Sequence, residues 1–196
     1  MAKGSILTEE DKIALHGKLI AACEESWTKS GYKKTNIKAL CNQVKISIGT
    51  FYALFPTKED LFFDTLAHIQ QRLEDNFAKI LDNQPNRNGF ADALKMLFRE
   101  YAANNFLYNT ATPDFSAFVN KLPPEHIKAL AISNEQFYLG IIDHPGLKLK
   151  VDKELAFGVF SALLSTIQLK EIAQVKHGPM EVFDFMTDQI LGSIFE

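Results

Sequence analysis

The chain has 196 residues, 46% of them hydrophobic, with 24 Asp and Glu against 21 Lys and Arg and only two cysteines. This length suits a small head fused to a larger body, and two thiols on apolar stripes, Cys23 and Cys41, exclude a disulfide-built secreted scaffold. The most apolar stretch, residues 155–169, is interrupted by Ser and Gln and falls short of the ~18–20 residues of a membrane span. With no N-terminal apolar run to suggest a signal peptide, the expected compartment is the cytoplasm.

In chain order, Thr8 followed by Glu9, Glu10 and Asp11 predicts a helix start, and Ile13, Ile20, Cys23 and Trp27 mark its apolar face until Gly31 ends it. Ile37, Leu40, Cys41 and Val44 recur at i, i+3, i+4 and i+7, one stripe of a short second helix. After a three-residue break, Ser47 can cap a third helix whose inward residues are Phe51 and Phe55. Thr57-Lys-Glu-Asp60 repeats the capping pattern and opens a long helix to about Leu81. Residues 83–89 break the chain before the stripe Phe90, Leu94, Leu97, Phe98 and Tyr101. Pro113 predicts a short helix, Pro124 a longer one ending by His144-Pro145-Gly146, Asp152 a helix ending at His177-Gly178, and Pro179 the last. No alternating strand pattern is present, so the expected fold is all-α with about nine helices. Residues 1–56 form the head and residues 57–196 the body.

The charge pattern separates these units. Residues 29–58 contain six lysines and no Asp or Glu. Residues 1–60 carry nine Lys against seven acids, and the remainder twelve bases against seventeen acids. A head that is basic on an acidic chain faces a polyanion. Two short helices on a tight turn within that lysine run read as helix-turn-helix, with the second helix short enough for a DNA major groove.

The run Thr35-Asn-Ile-Lys-Ala-Leu-Cys-Asn-Gln-Val-Lys-Ile-Ser-Ile-Gly-Thr-Phe-Tyr-Ala-Leu-Phe-Pro-Thr-Lys-Glu-Asp-Leu61 resembles the DNA-binding domain of the tetracycline-repressor-like (TetR) family, most tellingly at Ser47, Gly49, Thr50, Tyr52, Phe55, Lys58 and Leu61. The resemblance covers roughly residues 10–66. It implies a regulator that binds an operator in double-stranded DNA as a homodimer and responds to a small molecule, without a cofactor. By resemblance and geometry, Thr35 at a helix N-terminus, Tyr52 and Lys58 are expected on phosphates. Ser47, Ile48, Gly49 and Thr50 are expected at base edges, with Lys45 adding phosphate affinity. The chain departs from the family pattern in having Lys45 at the turn where Gly is usual, Ile48 where a polar residue is common, and Ala53 where an aromatic or His is frequent.

In the body, a helix apolar nearly all round and bearing Gly158, Ser161, Ala162 and Ser165, followed by one bearing Phe183, Met186 and Ile190, predicts an intermolecular four-helix bundle. An effector-binding region is expected among Phe98, Tyr101, Asn105, Phe115, Phe118, Asn134, Phe137, Tyr138 and Gln168, aromatics with interspersed amides that suit a small apolar or aromatic effector. The bland reading of these aromatics is core. The five histidines are scattered without zinc-ligand spacing, and neither a phosphate-cradling glycine loop nor a nucleophile elbow is present, so no enzyme activity is expected. The favoured reading is a sequence-specific, effector-released repressor. The alternative is a helical interaction module or a DNA binder without sequence preference.

Overall fold

The computed structural model describes residues 7–104, 112–166 and 177–196, with side chains described throughout except at 132–135 and 138. Among the described residues there are nine helices: α1 Glu9–Lys34, α2 Ile37–Val44, α3 Ile48–Leu54, α4 Lys58–Asn83, α5 Arg87–Ala103, α6 Pro113–Val119, α7 Pro124–Ile142, α8 Lys153–Ser165 and α9 Pro179–Ile194. The fold is all-α, with one isolated bridge between Leu149 and Phe195.

Local sequence accounts for the starts. Thr8 and Thr57 each accept from the N3 amide while Asp11 and Asp60 bond back to the cap, so both long helices open with a complete capping box. Thr112, Asp152 and Ser47 cap α6, α8 and α3, and proline occupies the first turn of α6, α7 and α9. Two details differ from the sequence reading. Ile13 is 73% exposed, because α1 begins to bury residues only at Leu19. Gly31 breaks α1 at φ 80°, ψ 170°, but the chain regains helical geometry for one more turn to Lys34.

Packing joins head to body through one continuous core. Helix α4 packs on α1 and on α5, and α5 in turn on α9. Arg72 on α4 grips Glu24 on α1 with both guanidinium nitrogens, at 3.0 and 2.7 Å. Beneath this, Trp27 of α1 stands 4.6 Å from Phe62 of α4 and 5.1 Å from Phe118 of α6, ring centre to ring centre. Each fully buried ring of this kind contributes roughly 1.5–3 kcal/mol, so α6 is fastened to the head by more than chain connectivity. Cys23 lies in the same core, and burial pushes its thiol up to about 12, consistent with an unreactive structural cysteine.

Candidate functional site

Helices α2 and α3 form the helix-turn-helix, and one residue sets the turn. Lys45 closes α2 at φ 62°, ψ 44°, the left-handed conformation that a Cβ disfavours. Its N–H donates to Asn42 O, and Ile46 N–H reaches Cys41 O at 2.9 Å, ending the helix in a tight reversal. Ser47 then caps α3, its Oγ accepting from Thr50 N–H at 3.0 Å and lying 2.9 Å from Thr50 Oγ1. Phe51 and Phe55 face inward and are buried. Ile48, Gly49, Tyr52 and Ala53 are therefore turned outward.

This outward face has no internal purpose. Ile48 is 46% exposed and Tyr52 53%, although both are large and apolar enough to be buried. Ile46 packs on the core instead, so Ile48 does not fold back into the head. A Cβ built on Gly49 would meet only Ser47 Oγ at 3.6 Å, an ordinary contact, so the protein itself makes no demand for glycine there. Lys33, Lys34, Lys38 and Lys45 of the same head are exposed, whereas Lys29 is paired with Glu25 at 2.6 Å.

Two expected phosphate contacts lie elsewhere. Thr35 is buried, its hydroxyl donating to Gly31 O at 2.8 Å and lying 3.0 Å from Ser26 Oγ. The cap of α2 is its neighbour Asn36, whose Oδ1 accepts from Lys38 N–H at 2.8 Å. Lys58 folds inward: its ammonium donates to Tyr32 O at 2.6 Å and Thr35 O at 2.8 Å and sits 4.2 Å from the centre of the Tyr32 ring. Burial holds its pKa below the ordinary lysine value. Both residues thus brace the end of α1 rather than extend toward a ligand, a role invisible without the carbonyls they meet in three dimensions.

Since Lys45 bears a backbone penalty as well as a charge, Lys45→Asn is expected to move two observables in opposite directions. Asparagine tolerates the left-handed region better, so stability should rise by roughly 0.5–1 kcal/mol, or about 1–4 °C in melting temperature. Loss of the ammonium should flatten the log–log salt dependence of DNA binding by about 0.9 if it neutralises one phosphate. Thermal melting and a salt titration check the pair; an unchanged salt slope would remove Lys45 from the interface.

The aromatic residues expected around an effector divide by their contacts. Phe98 is buried and stacks on Phe183 at 3.8 Å, while Phe115 and Phe118 belong to the Trp27 cluster. These three are core, and Phe183, expected at the dimer face, is core with them. Tyr101 is half-buried. Asn105 and Gln168, and the side chains of Asn134 and Tyr138, lie outside the described residues. Only Phe137 of this group borders a described cavity, a cleft of about 340 Å³ between α4 and α7. Its apolar walls include Leu81, Phe137 and Ile141, and its rim carries Glu74, Asp75 and Asp82. Burial, then the neighbouring Asp75, raises the Glu74 pKa above the usual carboxylate value. His144, also on the rim, lies 3.2 Å from Asp82. Sequence spacing alone missed this cleft, because it joins residues 74–82 of α4 to residues 136–144, more than fifty positions away.

On α8 the residues Leu155, Gly158, Ala162 and Ser165 are all exposed and follow one another at intervals of three and four, a single face of that helix. Ser161 is half-buried, as are Met186 and Ile190 on α9, where Phe185 is 67% exposed.

Residues 19–65 match the model of the bacterial regulatory proteins of the tetR family. The helix-turn-helix head is therefore similar to that of the tetR family. With a head that matches this model of bacterial regulatory proteins, the chain reads as a DNA-binding transcriptional regulator. Its fold extends over whole solved structures. The transcriptional regulator FadR from Bacillus subtilis, solved in complex with stearoyl-CoA, is 15% identical with a TM-score of 0.66, over 91% of this chain and 99% of that one. A TetR/AcrR-family regulator from Thermobifida fusca is 17% identical with a TM-score of 0.68, over 90% and 96%. PfmR from Thermus thermophilus, also a TetR-family regulator, is 18% identical with a TM-score of 0.62, over 89% and 97%. No curated protein matches the chain.

Proposed function

We propose that this protein is a cytoplasmic TetR-type repressor that occupies a palindromic operator as a homodimer and leaves it when a small molecule binds the body. The observation that carries the reading is the outward face of α3, where two large side chains and an unconstrained glycine stand exposed in a head whose Lys33, Lys34, Lys38 and Lys45 are exposed as well. Such a face favours a partner that offers both phosphates and base edges. Two recognition helices related by a twofold axis favour half-sites about one helical turn apart or somewhat more.

The α4–α7 cleft suits the effector. Its volume lies at the small end of ligand sites, and its apolar walls would bury an uncharged, apolar or aromatic molecule. Three carboxylates at the rim disfavour a polyanion such as the acyl-CoA bound by FadR. Because α4 runs from the cleft directly to the head, a ligand wedged against it would change the spacing of the two heads, and release needs only unequal operator affinity for the two spacings. A mobility-shift assay on the DNA upstream of its own gene, with excess nonspecific competitor, tests the reading. Specific retardation is expected; retardation abolished by any competitor would favour a DNA binder without sequence preference.

Base reading must proceed without arginine, since Arg72, Arg87 and Arg99 all lie outside the head. An exposed Ile48 can pack on thymine methyls while Thr50 offers a hydrogen bond or a methyl contact. Ile48→Ala is therefore expected to cost about 1–2 kcal/mol on the operator, while melting temperature and nonspecific binding stay nearly constant. Uracil in place of one thymine per half-site should reproduce that loss in the wild type and add nothing in the variant. Early melting with intact thymine preference would assign Ile48 to the fold instead.

A further inference from the structure

From the break in α1 at Gly31 to the start of α2, residues 31–35 form a hinge, and the body holds it from two sides. From α4, the Lys58 ammonium takes the carbonyls of Tyr32 and Thr35. From α6, the Asp114 carboxylate takes the amides, Tyr32 N–H at 2.6 Å and Lys33 N–H at 3.0 Å. Those amides open the one-turn helix that follows the break at Gly31, so Asp114 serves as an N-cap supplied from 82 residues away. The fit is close: a Cβ on Gly31 would lie 2.7 Å from Asp114 Oδ2. Beside it, Glu59 accepts from the Tyr32 hydroxyl and lies 3.4 Å from Lys121, in the turn that follows α6. Burial would raise the Glu59 pKa, but the Tyr32 hydroxyl and the Lys121 ammonium, helped by its own amide, hold it below the usual carboxylate value.

We propose that Asp114 is a positioning residue through which α6 sets the angle of the helix-turn-helix, a latch that movement of the body opens. The inference rests on the regulator reading above and adds a second mechanical input beside α4. Four residues, 120–123, separate α6 from α7, and α7 is a helix of 19 residues whose far end walls the cleft. Displacement of α7 shifts α6 relative to α4, and the two then pull differently on the same hinge. Amides and carbonyls of the hinge cannot both stay paired under that shear, so the segment that sets α2 loosens while the helices on either side stay folded. Charge-assisted bonds of this kind are the stronger class, which makes the amide side worth breaking as a switch and not merely as packing.

Asp114→Ala and Asp114→Asn in the full chain test the latch by hydrogen exchange and by DNA binding. The DNA probe is a duplex enriched by the wild type from a random library. In Asp114→Ala, exchange across residues 31–46 should quicken about tenfold while α4 and α5 keep wild-type protection. Affinity for the enriched duplex should fall about tenfold, and affinity for a scrambled duplex less than threefold, since phosphate contacts survive a loosened head. A merely structural role would lower protection everywhere and both affinities together. Should Asp114→Ala fail to fold, Asp114→Asn, which keeps shape and one acceptor oxygen, should show the same pattern at smaller amplitude. Wild-type exchange across the hinge in both variants, or unchanged discrimination between duplexes, would overturn the proposal. If the wild type enriches no duplex, the regulator reading fails, and the exchange pattern alone then decides whether Asp114 holds the hinge.

Discussion

Replacing Gly31 with alanine is expected to destabilise the protein by about 2–5 kcal/mol. Backbone geometry at φ 80°, ψ 170° belongs to a region open essentially to glycine, and forcing another residue there costs roughly 1–3 kcal/mol. The new methyl group would also stand 2.7 Å from Asp114 Oδ2 and 2.9 Å from its Cγ. Asp114 can swing away only by releasing Tyr32 and Lys33 N–H, and hydrogen bonds to a charged group are worth about 1.5–3 kcal/mol each. The two costs can be separated by a double-mutant cycle with Asp114→Ala. Deleting the carboxylate removes the clash but leaves the backbone penalty, so the double variant should be more stable than the sum of single losses predicts, by about 1–2 kcal/mol. Denaturant melts of the four proteins measure it. Strict additivity would mean that Gly31 and Asp114 meet no steric conflict, and that the backbone alone demands the glycine.

The hinge also shows where reading the sequence stops. Helix starts are local chemistry: Thr8, Ser47, Thr57 and Asp152 each act on an amide three residues ahead, so their roles were legible in order along the chain. The left-handed Lys45 was legible for the same reason, as a turn between two apolar stripes. What a buried ring faces is a different kind of information. Phe98, Phe115 and Phe118 were recognisable as apolar residues at helical spacing, yet whether they line a cavity or pack against Phe183 and Trp27 depends on partners 85, 88 and 91 positions away. Lys58 illustrates the converse. A lysine beside a basic head suggests a phosphate contact, but two carbonyls at the end of α1 compete for its ammonium and hold it inside. Asp114 left no trace at all, because an acid in the first turn of a short helix is ordinary on that helix's own account.

Aspartate at Ala162 should turn a dimer into monomers while leaving each chain folded. Leu155, Gly158, Ala162 and Ser165 present one exposed face of α8, and a Cβ on Gly158 would meet nothing within 4 Å, so a second backbone could approach closely there. Within a single chain, Ala162→Asp is a surface change on a helix and costs no more than about 0.7 kcal/mol in propensity. Within a twofold bundle the same substitution buries two like charges near the axis, each unpaired, at several kcal/mol per ion. Dimer dissociation should therefore strengthen by at least about a hundredfold, since each 1.4 kcal/mol is a factor of ten. Operator binding follows from linkage of the heads. A monomer forfeits the effective concentration that the second head gains once the first is bound, commonly a factor of about 10²–10⁴, while its affinity for a single half-site should match one wild-type head. Sedimentation equilibrium and titrations against whole and half operators measure both quantities. A variant that sediments as a stable dimer and binds the whole operator like the wild type would move the interface off this face of α8.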